Sequence, residues 1–326
     1  MLALFRTNQL FGNILLLLYL CVVRLSIFIH PSNIPVGSHS LLSEWLYNEL
    51  PPESKIAQFA ALILVFFQAT FINIIVLKFR LSREASLLPG LFYCLLASML
   101  PEFLTLSTIL LSNTFLILAV YYMLDIYKGS KSVAGTVFDI GFWLGLASLF
   151  NYSYILLVIW GVVGMSIMLG IRFRDILILL LGFILPYFLF GVYLFWYDKL
   201  PLFFTNFYNN FGWLSFIPQT SATTYIKLSV MGLFILTGIL ISGSFFSQKA
   251  LSVQKSFNIL YWLLLVSGLT IFVVPHIGLD HLLVVVLPLS IFIAFLFQRF
   301  SKGIAEALHF AFVAIALILQ FEYLLV

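Results

Sequence analysis

The sequence predicts an all-α integral membrane protein: a polytopic helical bundle with about eleven transmembrane helices, ten on the shorter count, and an interfacial helix in the first outer loop. Three observations carry that class. The 326 residues are 63% hydrophobic and 9% charged, with a mean hydropathy of +1.15, whereas a soluble domain carries about 25% charge. The apolar runs are continuous and about 18–22 residues long, the length of a spanning helix rather than of the alternating strands of a closed barrel. The basic residues gather in small clusters between those runs, where orientation signals belong. One transmembrane domain over 1–326 is expected, with outer loops at 30–55 and 197–225.

In chain order the runs fall near 9–29, 56–77, 86–100, 103–123, 133–150, 154–171, 176–196, 226–247, 257–274, 282–298 and 304–325. No small-residue cleavage site follows the first, so it is expected to stay as a signal-anchor helix. The third is short and contains Pro89-Gly90, so it should kink or tilt. If 86–123 is instead one broken unit, the count is ten. In the fifth, Gly141-x-x-x-Gly145 allows another helix to approach closely. Asp139, near the start of the same run, suits the positive end of a helix dipole. Cys21 and Cys94 both fall inside runs and imply no disulfide framework.

With the N-terminus in the cytoplasm, twelve basic residues lie inside, from Arg6 through Lys78, Arg172 and Lys255 to Lys302. Only Lys55, Lys199 and Lys227 lie outside, and Arg24 sits within a span. That asymmetry is the positive-inside bias. Acids and histidines distribute the other way. Glu44, Glu49, Glu53, Glu102, Asp198, Asp280 and Glu322 fall outside, with His30, His39, His276 and His281. The groups useful for chemistry therefore collect at the outer face. On the inner side, Asp125 and Lys128 are placed for an i,i+3 pair.

In 40–50, SLLSEWLYNEL, Ser40 is a helix cap and the helix must stop before Pro51. At 100° per residue, Leu41, Leu42, Trp45, Leu46 and Leu50 cover one half of the circumference, as in an interfacial helix. Glu49 falls inside that apolar arc. An acid there snorkels, bonds to a neighbouring helix, or is desolvated with a raised pKa, which suits a general base. Arg24 either snorkels outward or faces an acid or a phosphate. In Pro275–His281, the residues His276, Asp280 and His281 are of metal-binding types. The i,i+5 spacing of the histidines is not that of two ligands on one helical face, so an interfacial turn is expected and no metal is assigned. The loop 197–225 carries nine aromatic residues and Asn206, Asn209 and Asn210. It reads as an aromatic belt, or as a wall for acyl tails or a sugar face.

A net charge of +4 spread over loops is no nucleic-acid signal, and no nucleic-acid partner is expected. Walker A, HExxH, G-x-S-x-G and CxxC patterns are absent from the sequence, which argues against an ATPase or a soluble-type hydrolase. No cofactor is assigned.

The opening MLALFRTNQLFGNILLLLYL is similar to that of uncharacterised inner-membrane proteins of Bacteroidota. The segments FDIGFWLGLASLFNYSYILL and HIGLDHLLVVVLPLSIFIAFLF, with an interfacial helix in the first outer loop and a long loop after the seventh span, resemble the GT-C membrane glycosyltransferases. The resemblance implies a GT-C-like fold in the bacterial inner membrane. It also implies transfer of a sugar from a polyprenyl-phosphate carrier at the outer face. Glu49 or Glu44 would then serve as base, Arg24 or Lys55 as phosphate partner, and His276, Asp280 and His281 would bound the substrate. Those enzymes carry an acid just after the first span, where this chain reads His30-Pro31-Ser32-Asn33-Ile34-Pro35. That departure motivates a second hypothesis, a non-catalytic subunit of an envelope or secretion complex. A third, a secondary transporter, predicts inverted repeats that the sequence does not display.

Overall fold

Without water in the bilayer core, each apolar run must satisfy its own backbone, and the helix does so within one segment. The computed structural model of the chain describes residues 2–5, 10–29, 40–82, 85–126, 132–170, 172–212, 222–242, 251–273 and 278–321. These form α1 (Leu2–Phe5), α2 (Leu10–Val23), α3 (Leu25–Ile29), α4 (Leu41–Glu49), α5 (Lys55–Lys78), α6 (Leu88–Leu96), α7 (Thr108–Asp125) and α8 (Val133–Phe150). There follow α9 (Leu157–Leu169), α10 (Phe173–Trp196), α11 (Leu200–Asn210), α12 (Ala222–Ser242), α13 (Leu251–Thr270), α14 (Leu283–Arg299) and α15 (Lys302–Gln320). No strand occurs among the described residues.

Nine of the described helical segments are long and apolar enough to cross a membrane, the first being α5 and the last α15. Two expected spans take another form. The first run is broken at Arg24 into α2 and α3. The third is α6, nine residues with every side chain buried. A helix of nine residues rises only about 14 Å, less than half the hydrocarbon thickness. A 3-10 turn, Pro101–Phe103, and irregular backbone complete the path to α7. α7 by itself is long and apolar enough to cross a membrane, and α6 precedes it as a short buried helix.

Backbone breaks of this kind survive inside a bundle only when neighbours satisfy the freed groups. At the start of α6, Asn73 Oδ1 accepts from the Gly90 N–H at 2.7 Å. Gly90 is required there, because a Cβ would lie 2.5 Å from the Ala69 carbonyl oxygen. Beyond the end of α6, Arg24 donates to the carbonyls of Ala97 at 2.8 Å, Phe103 at 3.1 Å and Leu104 at 3.4 Å, and to Ser98 Oγ at 2.9 Å. Gln320 of α15 donates to the carbonyls of Val23, at 2.9 Å, and Ser98, and accepts from Ser26 Oγ at 2.8 Å. One polar knot joins the first helix, the α6 break and the last helix.

The glycine seam expected in the fifth span forms between α8 and α10. Cβ atoms built on Gly141, Gly145 and Gly182 would sit 2.1, 2.4 and 2.3 Å from the carbonyl oxygens of Leu179, Phe183 and Phe138. α14 is the central helix, 89% buried over its window, whereas α10, α12 and α15 are peripheral. At the end opposite α4, Asp125 pairs with Lys78 at 2.9 Å. Lys128, its expected partner, lies outside the described residues.

Candidate functional site

The end of the bundle that carries α4 is where the outer-face chemistry was expected. α4 begins and ends as the sequence requires. Ser40 Oγ accepts from the Ser43 N–H at 3.1 Å, Ser43 Oγ accepts from the Ser40 N–H at 2.9 Å, and the helix closes at Leu50 before Pro51. It is seated on the bundle through Ser40, Ser43 and Tyr47. Ser40 and Ser43 are fully buried, and Ser40 Oγ donates to the Phe150 carbonyl at 2.9 Å. Tyr47 Oη accepts from the Thr108 N–H at 3.1 Å, satisfying an otherwise orphaned donor at the start of α7. Trp45 is 64% exposed, on the face turned away from the bundle. Trp45 thus points out of the protein while Leu41, Leu42, Leu46 and Leu50 are half-buried, and Ser40, Ser43 and Tyr47 seat α4 on the bundle. Burial pushes the Tyr47 phenol up to about 12; the hydrogen bond from Thr108 opposes that, and the Asp280 carboxylate adds to it.

The expected loop 197–225 contains α11, which lies against α4. Asn206 Nδ2 donates to Glu44 Oε1 at 2.7 Å, and Tyr152 Oη donates to Asn206 Oδ1 at 3.3 Å. Phe207 packs edge-on to Tyr152 with ring centroids 5.0 Å apart. The aromatic residues on that side of α11 therefore clamp the helix to the bundle.

Of the residues singled out from sequence, Glu44 is exposed and held by Asn206. Glu49 is exposed on the Trp45 face, so the apolar surround that recommended it as a base is not provided by this chain. Lys55 is exposed as the first residue of α5, whose cap is Ser54. Arg24 neither snorkels nor meets an acid; it is fully buried among carbonyls. His276 lies outside the described residues. Asp280 and His281 are both buried in a 3-10 turn, Leu279–Leu282, with Asp280 Oδ1 3.5 Å from His281 Nδ1. Among the described residues no three His, Cys, Asp or Glu side chains gather as metal ligands.

Glu102 and Lys227 are the pair that sequence reasoning missed. Glu102, on the turn Pro101–Phe103, takes Lys227 Nζ on Oε1 at 2.8 Å, and their side chains are only 14% and 4% exposed. That turn packs against the turn holding Asp280 and His281. Beneath it, Arg24 grips the next two carbonyls, Phe103 and Leu104. Both residues stood among the outer-side charges, but only the packing of α12 over the turn brings them together.

Fold and site together define a polytopic helical membrane protein with a polar junction at one end. No family model, curated protein or solved structure matches the chain.

Proposed function

We propose that the chain is a multi-pass protein of the bacterial inner membrane, N-terminus cytoplasmic, forming a single transmembrane domain. In this reading its α4-bearing end faces outward as a non-catalytic scaffold of an envelope assembly. One observation carries the scaffold reading: Arg24 and Glu44, a nominated phosphate partner and a nominated base, are already committed to the protein, while Glu49 and Lys55 lie exposed. Arg24 faces four internal acceptors, Glu102 holds Lys227, and Glu44 holds Asn206. A departing phosphate needs cationic donors aimed at where its charge develops, and Arg24 is turned to its own backbone. The orientation rests on charge. Lys78, Arg80, Arg172, Arg174, Lys255, Arg299 and Lys302 belong to the end opposite α4.

The full-length protein, purified in mild detergent after crosslinking of native membranes, is expected to bring a membrane partner at fixed stoichiometry, crosslinked through α4 or α11. A chain that works alone, transferring sugar from a polyprenyl-phosphate carrier, would overturn this.

A second reading, a GT-C-like glycosyltransferase using such a carrier, is favoured by the gathering of Glu44, Glu49, Glu102, Asp280 and His281 at one end with Lys227. It assigns Glu49 or Glu44 as base and Arg24 or Lys55 as phosphate partner. Glu49→Gln, Glu44→Gln and Arg24→Gln separate the two readings. Retained function with normal expression in all three leaves the scaffold; loss in a well-folded Glu49→Gln favours transfer.

A further inference from the structure

α12 buries a single stripe. Lys227, Met231, Phe234 and Gly238 follow one another at helical spacing and face the bundle. Of residues 223–230 only Lys227 is buried, and its neighbours Tyr225, Ile226 and Leu228 are 55%, 54% and 40% exposed. A lysine therefore occupies the outermost buried position of an otherwise apolar seam. It is tolerated there because Glu102 meets it.

The pairing leaves one acceptor over. An ionised carboxylate accepts on both oxygens. Glu102 Oε1 takes Lys227, while Oε2 is buried and has no hydrogen-bond partner among the described residues. An unfilled buried acceptor is costly. This one lies beside the Lys227 ammonium, near the start of a peripheral helix whose Tyr225, Ile226 and Leu228 are exposed. A donor from a lipid head at that exposed start would satisfy Oε2.

We propose that this junction binds the head of a zwitterionic phospholipid carrying a primary ammonium, an ethanolamine head. Its ammonium N–H meets Glu102 Oε2, and its phosphate shares Lys227. The pair is neutral, and so is that head, so each charge finds its opposite. A choline head has the same charges but no N–H and leaves Oε2 unfilled. A glycerol head supplies an O–H but adds a net negative charge.

Native mass spectrometry of the full-length protein, titrated with ethanolamine, choline and glycerol phospholipids of identical acyl chains, tests this. The ethanolamine lipid is expected to bind about tenfold more tightly than the choline lipid, as a charge-assisted hydrogen bond implies. Glu102→Gln should abolish that preference and Lys227→Met should weaken both. Equal binding of the two zwitterions, or a preference unchanged in Glu102→Gln, overturns the proposal, as does tightest binding of the glycerol lipid. Should Glu102→Gln fail to fold, a photoreactive ethanolamine lipid on the wild-type protein decides. Adducts must fall within 97–105 or 223–231, and adducts confined elsewhere overturn the site.

Discussion

Arg24 is fully buried, and among the described residues no carboxylate pairs with it. Its charge is held by carbonyl dipoles freed where α6 stops, so one side chain answers two costs: a buried cation and orphaned acceptors. Lysine cannot replace that planar fork, because it offers three donors from one point. Arg24→Lys and Arg24→Gln should both lower stability, the second by roughly 1–3 kcal/mol for each buried carbonyl left without a donor. Thermal unfolding in detergent, read by the monodisperse fraction, checks it; an unchanged Arg24→Gln would remove the capping role. Tyr47 gives a pH prediction. Its folded pKa, about 12, stands above the ordinary value of 10.0. Below pH 10 both states keep the proton and the hydrogen-bonded contribution is complete. From there to about 12 the unfolded state alone releases it, so stability falls as pH rises. Tyr47→Phe should flatten part of that alkaline decline in melting temperature. A decline identical in both proteins would exclude Tyr47 as a source.

Among elements, α8 and α10 approach closely along a seam of glycines. Any side chain at Gly141, Gly145 or Gly182 must push a helix outward, since its Cβ would lie 2.1–2.4 Å from a carbonyl oxygen. Gly145→Val is expected to destabilise by about 1–3 kcal/mol or more. It should also expose α10 to protease, whereas Gly191→Val, with nothing within 4 Å of its Cβ, should be nearly silent. α4 depends on its cap in the same local manner. Ser40→Ala removes the Oγ that accepts from Ser43 and donates to Phe150, at a cost of about 1 kcal/mol for the cap alone. Its readout is proteolysis within 41–50, which should accelerate while the rest of the chain stays resistant.

Across the whole molecule, the described helices fix which segments share an end. The α4 end holds the turns Pro101–Phe103 and Leu279–Leu282, α11 and Lys227, and the other end holds the Lys78–Asp125 pair. The proposed orientation predicts that cysteines replacing Ser38 and Thr220 react with an impermeant reagent added outside, and that one replacing Gln254 reacts only after permeabilisation. The reverse pattern would invert the topology.

Class, most span positions, the ends of α4 and the glycine seam were legible because each is a local property. Hydrophobicity sums along a run, Ser40 caps through the residue three places on, and Gly141 and Gly145 lie on one helix face whatever packs against it. One local reading was overridden by context: 86–100 was apolar enough to span, but its helix, α6, is only nine residues long. The partners of the polar groups were not legible at all. Lys227 meets Glu102 across 125 residues, and Ser26 meets Gln320 across 294. Composition marked such groups as too costly to leave bare in a membrane. Only the packing of α12 over the turn at Pro101, and of the last helix against the first, decided what satisfies them, because a hydrogen bond depends on which helices become neighbours and no segment encodes that alone.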